Sequence, residues 1–214
     1  MSELALRRQI VATARRMNDI GLNRGTSGNV SARSGRGFLV TPSGLAYEHT
    51  RPADIVAMSQ KGAARGGLTP STEWRFHRDI YAARADIGAI VHAHSTFATT
   101  VACLRRGIPA FHYMVAVAGG RDIRCARYAT FGTQALSNRA LAALEGRNAC
   151  LLANHGMIAL GESLAAALTL AVEVEALAEQ YWRALQIGTP KALSATEMDT
   201  VLEKFKSYGR RRRS

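Results

Sequence analysis

Lysine is scarce in this basic sequence, although arginine is abundant. The 214 residues contain only four lysines, which are Lys61, Lys191, Lys204 and Lys206. All four fall in polar loop segments or in the C-terminal segment. A lysine that forms a Schiff base must be desolvated or otherwise activated. The sequence therefore disfavours covalent catalysis through lysine.

Cysteines and long apolar runs are also few. The three cysteines, Cys103, Cys125 and Cys150, stand in apolar or mixed surroundings, so we interpret them as structural and expect no disulfide. No apolar run reaches 18 residues, and we therefore expect no membrane-spanning helix. Residues 1–20 mix charged residues with apolar ones in the pattern of an amphipathic helix, which is unlike the continuous apolar stretch of a signal peptide. These features together predict a cytoplasmic protein.

The formal net charge is +12, of which the run Arg210–Arg213 supplies four charges. We interpret residues 210–214 as a solvated basic tail that follows a single domain, residues 1–209. A positive field over the domain would draw in an anionic substrate, and it would also suit nucleic acid. The sequence contains no zinc-finger pattern, helix-turn-helix signature or aromatic RNA-binding motif. We therefore expect no nucleic-acid partner.

Hydrophobic periodicity predicts helices and strands that interleave along the chain. The expected helices are one that ends at Gly21, one that begins near Glu73 with Ser71 or Thr72 as its cap, one from Gly161–Ser163 to about Leu185, and one capped by Ser194 and Glu197. The expected strands are 38–40, 55–58, 89–94 and 151–160, the last with a bend or break at Gly156. Residues 21–37 are rich in glycine and predict turns. The alternation favours an α/β layered fold.

His92-Ala93-His94 is the sharpest chemical signal in the chain. Side chains two residues apart on a strand point to the same face, so both imidazoles could reach one ion. His155 is a plausible third ligand, and the glycine after it lets the backbone approach another group closely. Three protein ligands and an open position are typical of catalytic zinc. The other histidines, at positions 49, 77 and 112, we interpret as hydrogen-bonded structural residues.

Three corners rich in hydroxyl groups and glycine form a second signal: residues 25–29, 41–44 and 70–72. Hydroxyls, free amides and a helix N-terminus are the groups that bind a phosphate, although each corner alone is an ordinary turn. Glu73 follows the third corner and has two interpretations. Its carboxylate either stabilises the start of the helix or exchanges protons with a substrate beside the metal.

These residues stand within longer motifs, which include Gly25–Ser31, Pro70–His77, Val91–His94, Ile108–Met114, Tyr128–Thr133 and Asn154–Gly156. In register from about residue 7 to residue 209, they resemble the successive signatures of the class II aldolase/adducin family. The segments 108–114, 128–133 and 201–209 are most similar to the fuculose-phosphate aldolase branch. Asn154, before the histidine of the last motif, is a mild departure from the family pattern.

The resemblance implies a three-layer α/β/α sandwich around a largely antiparallel central sheet. It implies a zinc-dependent aldolase, with Mn²⁺ or Co²⁺ as alternative ions, that cleaves a ketose 1-phosphate to dihydroxyacetone phosphate and an aldehyde. The implied metal ligands are His92, His94, His155 and Glu73, the last of which would swing away when substrate arrives. The implied phosphate-binding residues are Thr26, Gly28, Asn29, Ser43, Gly44, Ser71 and Thr72.

The resemblance also implies that the enzyme is a homotetramer with active sites at its subunit interfaces. Tyr113 from a neighbouring subunit would be the proton donor, and Phe131 and Tyr208 would shape the aldehyde end of the site. Glu73, besides binding metal, would act as the catalytic proton carrier.

Several related functions remain open. Aldolases acting on 5-deoxyribulose or 5-methylthioribulose 1-phosphate would share every residue named above. Ribulose-phosphate epimerases of the family are expected to carry Asp at the position of Glu73, and non-catalytic adducin-type proteins can lose the histidines. A non-catalytic basic binding protein is a further alternative that only the arginine tail supports.

Overall fold

Within residues 2–207, the part of the chain that this computed structural model describes, eight strands form one central sheet. Tyr208 and the basic tail at 210–214 lie outside the described residues. The strands are β1 (Asn29–Ser34), β2 (Gly37–Val40), β3 (Val56–Ser59), β4 (Ala64–Arg65), β5 (Ala89–Ala93), β6 (Cys125–Ala126), β7 (Ala149–Leu152) and β8 (Gly156–Gly161).

The order of strands across the sheet is β4-β3-β2-β1-β5-β8-β7-β6. Every neighbouring pair is antiparallel except β6 and β7, which are parallel. The expected largely antiparallel sheet is therefore confirmed. β5 lies at its centre between β1 and β8, and Asn29 of β1 stands opposite His92 of β5.

Six α-helices of the described chain cover the sheet: α1 (Glu3–Asp19), α2 (Trp74–Ala83), α3 (Thr96–Cys103), α4 (Gln134–Leu144), α5 (Leu164–Ile187) and α6 (Ala195–Ser207). Two short 3₁₀ helices, Pro52–Asp54 and Tyr113–Ala118, lie between β2 and β3 and between α3 and β6. Helices α1, α3 and α5 pack in one hydrophobic cluster, and α2 and α4 pack in another on the opposite face. The α/β/α sandwich is confirmed.

Side chains alternate between the two layers along β5. Val91 belongs to the cluster under α1, α3 and α5, whereas Ile90 belongs to the cluster under α2 and α4. His92, two residues after Ile90, therefore faces the α2 side of the sheet. Among the described residues, no helix is both long and apolar enough to cross a membrane.

The local predictions are largely confirmed, with two corrections. The segment 21–37, interpreted as turns, contains the whole of β1, because this polar strand is held between β2 and β5. The helix near Glu73 begins at Trp74, with Glu73 itself as N-cap and no side-chain capping bond. Ser71 instead accepts a hydrogen bond from the Glu73 amide at 3.3 Å. The predicted capping box of Ser194 and Glu197 is present at the start of α6.

Candidate metal centre and adjoining pocket

Four side chains converge at the end of β5. The ligand atoms of Glu73, His92, His94 and His155 all lie within 4.8 Å of one another. His92 is on β5, His94 follows that strand directly, and Glu73 caps α2. The four candidate ligands named from the sequence are thus brought together.

His155 reaches the cluster from the turn between β7 and β8. The turn is tight: Asn154 adopts a left-handed conformation with φ of 56°, which asparagine tolerates better than most residues. Gly156 packs directly on β5, and a Cβ atom there would collide with the Ala93 carbonyl and crowd the His94 ring. The glycine after His155 therefore allows two backbones to approach closely, as predicted from the sequence.

The geometry of the cluster fits a cation. Nε2 of His92 lies 3.0 Å from Nε2 of His94 and 3.0 Å from Oε2 of Glu73. Nε2 of His155 lies 3.2 Å from Oε1 of Glu73. On the far side of its ring, Nδ1 of His92 donates to the Met157 carbonyl at 2.8 Å, and in the neutral ring the lone pair of Nε2 is then directed into the cluster.

This arrangement brings hydrogen-bond acceptors close together, namely the unprotonated imidazole nitrogens and the carboxylate oxygens of Glu73. Oε1 of Glu73 is buried and has no hydrogen-bond partner, despite its proximity to His155. A divalent ion held by three imidazoles and a carboxylate would satisfy all of these atoms, and this donor set is one that zinc commonly takes. The residues present therefore fit a metal centre.

The pKa values keep two of the histidines neutral. Burial, with the positive charge of His92, lowers the pKa of His94 to about 3 and that of His155 to about 4. For His92, burial opposes protonation, but attraction to Glu73 outweighs it and raises the pKa. Burial alone would raise the pKa of Glu73, yet attraction to His92 lowers it to about 2. The site thus presents a carboxylate and two neutral imidazoles, those of His94 and His155, near neutral pH.

A cavity of about 290 Å³ opens beside the cluster. All seven predicted phosphate-binding residues line it: Thr26, Gly28, Asn29, Ser43, Gly44, Ser71 and Thr72. Glu73, His94 and His155 form part of the same wall, so an anion held at the corners would lie next to the metal centre. The three corners, each an ordinary turn in the sequence, meet in one pocket.

Backbone hydrogen bonds hold these corners in place. The amides of Ser43 and Ser71 donate to the carbonyls of Thr69 and Thr41, so they tie one corner to the next. Gly28 has φ of 75°, and a Cβ atom there would come within 2.6 Å of the His92 carbonyl. Only glycine allows this corner to pack so closely on β5.

The residues predicted for the aldehyde end of the site differ in their position relative to the cavity. Phe131 lines the cavity and is 64% exposed, whereas Tyr113, at the start of a 3₁₀ helix, is half exposed and lies outside the lining of the cavity. Tyr208 lies outside the described residues. Tyr128 and Ala129 line the cavity as well. They were not singled out from the sequence, although they belong to the same 128–133 motif as Phe131.

Comparison with known proteins agrees with this site. Residues 8–182 match the family model described as Class II Aldolase and Adducin N-terminal domain. A 5-methylthioribulose-1-phosphate/5-deoxyribulose-1-phosphate aldolase of Rhodospirillum rubrum is 61% identical over 208 residues, which are 97% of this chain and 94% of that protein. An L-fuculose phosphate aldolase of Escherichia coli is 49% identical over 212 residues, 99% of each chain. A solved structure of an L-fuculose 1-phosphate aldolase superposes with a TM-score of 0.91 at 42% identity, covering 94% of this chain and 95% of that one.

Proposed function

This chain belongs to the class II aldolase/adducin family, and from that membership and its site we propose that it cleaves a ketose 1-phosphate to dihydroxyacetone phosphate and an aldehyde. The enzyme is a metal-dependent aldolase. The observation that carries the proposal is the junction of two features: a cluster of three histidines and a glutamate forms one wall of a pocket lined by the three hydroxyl-rich corners.

The residues around the pocket would have two different roles, phosphate binding and metal binding. The corner residues would bind the phosphate and orient the sugar, because hydroxyl and amide donors are suited to a phosphate group. His92, His94 and His155 would hold zinc, with Glu73 as a fourth ligand, and Mn²⁺ or Co²⁺ are alternative ions for this N/O donor set. A bound divalent ion supplies Lewis acidity that stabilises negative charge on the substrate.

Glu73 is proposed as the group that moves protons at the substrate. Its carboxylate is the acidic member of the cluster and lines the cavity. Moving from its position among the histidines toward the substrate, it would deliver a proton to the carbon next to the carbonyl after the C–C bond breaks, and in the reverse reaction it would remove that proton. Positioned acid–base groups of this kind typically contribute about 10²–10⁴-fold to the rate.

A second proton transfer is needed at the oxygen of the departing aldehyde. We assign it to Tyr113 of a neighbouring subunit in a homotetramer, with Phe131 and Tyr208 shaping that end of the site. The half-exposed position of Tyr113, away from the cavity of its own chain, supports this assignment. The same proposal treats residues 1–209 as one cytoplasmic domain and 210–214 as a basic tail.

Two kinds of substrate are supported by relatives that span nearly the whole chain. The more similar relative, at 61% identity, is named for 5-methylthioribulose and 5-deoxyribulose 1-phosphates, and the one at 49% is named for L-fuculose phosphate. Both kinds of sugar share the phosphorylated half that the corners would bind. They differ in the aldehyde half, toward which the exposed ring of Phe131 is directed in the proposal.

The test is to incubate the metal-loaded protein with all three ketose 1-phosphates and to measure dihydroxyacetone phosphate. We expect cleavage of at least one, with the largest kcat/KM identifying the physiological aldehyde. If the metal-loaded protein releases dihydroxyacetone phosphate from none of them, the proposed reaction is wrong.

A further inference from the structure

A chain of buried polar side chains leads away from the metal centre into the core. Tyr81 Oη lies 2.8 Å from Ser31 Oγ, which lies 2.6 Å from His77 Nδ1. His77 Nε2 lies 2.5 Å from Asn29 Oδ1, and Asn29 Nδ2 lies 3.1 Å from Glu73 Oε2. Ser31, His77, Asn29 and Tyr81 are all at least 98% buried. Only Asn29 and Glu73 of these five residues line the pocket.

This series of hydrogen-bonded side chains follows from the residue spacing on two elements, α2 and β1. Glu73, His77 and Tyr81 recur every four residues and therefore lie along one face of α2. Asn29 and Ser31, two apart on β1, point to one face of the sheet. The helix packs on that face, so each of the two strand side chains lies between two of the helix side chains.

With a neutral His77, only one placement of the hydrogen atoms allows all four of these hydrogen bonds to form. Glu73 is a carboxylate and only accepts hydrogen bonds, so Asn29 must direct its NH₂ group toward it. The Asn29 oxygen then faces His77, whose Nε2 must donate. A neutral imidazole with a proton on Nε2 accepts at Nδ1, so the Ser31 hydroxyl donates there and the Tyr81 hydroxyl donates to Ser31. Every donor thus points toward Glu73.

The surroundings of His77 favour the neutral ring that this arrangement needs. Its ring stacks on Phe76 with 4.5 Å between centroids, and the side chain is fully buried. Burial, reinforced by the positive charge of His92, lowers the pKa of His77 to about 3. The reverse orientation of the Asn29 amide would set its carbonyl oxygen against the Glu73 carboxylate.

We propose that His77 is a positioning residue of the aldolase, which donates from Nε2 to fix the amide of Asn29 and, through it, the carboxylate of Glu73 at the pocket wall. The catalytic part rests on the proposed function. Asn29 links the phosphate-binding corners to Glu73, because it lines the pocket and contacts the carboxylate. His77 does not line the pocket, and its hydrogen bonds run to Ser31 and Asn29. It acts by keeping this link in one orientation.

The first test examines the wild-type protein and needs no activity. Ring ¹⁵N chemical shifts distinguish the protonated from the unprotonated nitrogen of a histidine, so NMR of zinc-loaded, ¹⁵N-labelled protein reports the tautomer of His77. A His77→Gln sample assigns the signals by their loss. We expect Nε2 protonated and Nδ1 bare from pH 6 to pH 8. A proton on Nδ1, or on both nitrogens, overturns the proposal.

The second test uses a matched pair of substitutions. In His77→Gln the side-chain amide reaches the position of Nε2 and can still donate to Asn29, whereas in His77→Asn it reaches only the position of Nδ1. Both lose the ring that packs on Phe76, so we expect similar losses in melting temperature. We expect kcat of His77→Asn to fall about 10–100-fold further than that of His77→Gln, since small misplacements near a reacting centre cost up to about 10²-fold.

The two tests separate the possible failures. If the Gln and Asn variants lose kcat equally, or only in step with their stability, His77 has a structural role alone and the proposal is overturned. If the wild-type protein cleaves none of the ketose phosphates, the proposed function is wrong, and so is the catalytic part of the proposal for His77. The tautomer measurement still judges the direction of the hydrogen-bond chain in that case.

Discussion

The carboxylate of Glu175 accepts a hydrogen bond of 2.6 Å from the hydroxyl of Ser95, the residue that follows His94. The same carboxylate accepts the amides of Phe97 and Ala98, each at 2.8 Å. Glu175 lies on α5, in the layer packed against the face of the sheet opposite α2. A distant helix therefore satisfies the free amides at the start of α3 and fixes the backbone next to a proposed metal ligand.

We predict that Glu175→Gln lowers both stability and metal affinity. An amide presents one oxygen and an NH₂ group to three donors, so at least one hydrogen bond is lost from a partly buried site. The free energy of unfolding should fall by about 1–3 kcal/mol, and zinc should bind more weakly because His94 is less well held. Urea denaturation and zinc titration measure the two effects.

Glu179→Gln is the matched control for this change. Glu179 lies one turn further along α5 and pairs with Arg183 on the surface, a pair worth about 0.2–0.5 kcal/mol. Zinc affinity should be unchanged in this control. Equal zinc affinity in Glu175→Gln and the wild type would show that the hydrogen bond between Glu175 and Ser95 does not help to hold His94 in place.

The composition of the metal centre could be predicted from the sequence because its histidines stand in short, local patterns. The contribution of Glu73 to the cluster could not be derived from spacing, since its carboxylate meets His92 only through the packing of α2 on β1 and β5. β1 was missed for a similar reason. Its residues are largely polar, and pairing with strands on both sides, rather than intrinsic propensity, makes the segment a strand.

The metal centre makes a direct prediction about zinc content. Purified protein should carry about one zinc per chain, because four ligand atoms converge on one point. His155→Ala removes one ligand and should lower both zinc occupancy and aldolase activity, whereas His49→Ala, at an exposed position, should change neither. Elemental analysis and activity assays measure these quantities. Full zinc occupancy in a variant lacking His92, His94 and His155 would contradict the assignment.

Acid should destabilise the metal-free protein over a defined range. The pKa values of His94 and His155, about 3 and about 4, lie below the value of about 6.5 that these side chains have when unfolded. Between about pH 6.5 and pH 4 the unfolded chain therefore binds more protons, and the free energy of unfolding falls as pH falls. Each such histidine contributes up to about 1.4 kcal/mol per pH unit, and the raised pKa of His92 offsets part of this.

Urea denaturation of chelator-treated protein from pH 7 to pH 4.5 checks this dependence. The His155→Asn variant should give a shallower slope, because one of the histidines with a lowered pKa is gone. Stability that increases as the pH falls from 6.5 to 4.5 would show that the buried cluster favours protonated histidines.

The pocket predicts strong discrimination for the phosphate group. A ketose without the 1-phosphate should have a kcat/KM lower by at least about 10²-fold, since each hydrogen bond to a charged group is worth about 1.5–3 kcal/mol and 1.4 kcal/mol corresponds to about tenfold. Inorganic phosphate should inhibit cleavage competitively. Steady-state kinetics with matched phosphorylated and free sugars measure the ratio, and equal values would exclude a phosphate site at the three corners.

Glu73→Gln and Tyr113→Phe should each remove most activity for different reasons. Glutamine keeps the shape of the side chain but cannot take up a proton, so kcat should fall by about 10²–10⁴-fold. Phenylalanine removes the hydroxyl proposed to act at the aldehyde oxygen. Tyr113→Phe should therefore impair sugar cleavage more than exchange of the dihydroxyacetone phosphate proton, a step that does not involve the aldehyde. Tritium or deuterium exchange beside the cleavage assay separates the two.

Mixing the two inactive variants tests whether each site draws on two subunits. Tyr113 is half exposed and lies outside the cavity of its own chain, so in the proposed tetramer a site combines Glu73 of one subunit with Tyr113 of another. A hybrid of Glu73→Gln and Tyr113→Phe subunits then contains some sites with both native side chains, and part of the activity should return after subunit exchange. Mass spectrometry of differently tagged subunits verifies the exchange. A verified hybrid as inactive as its parents would mean that both residues serve a site within one chain.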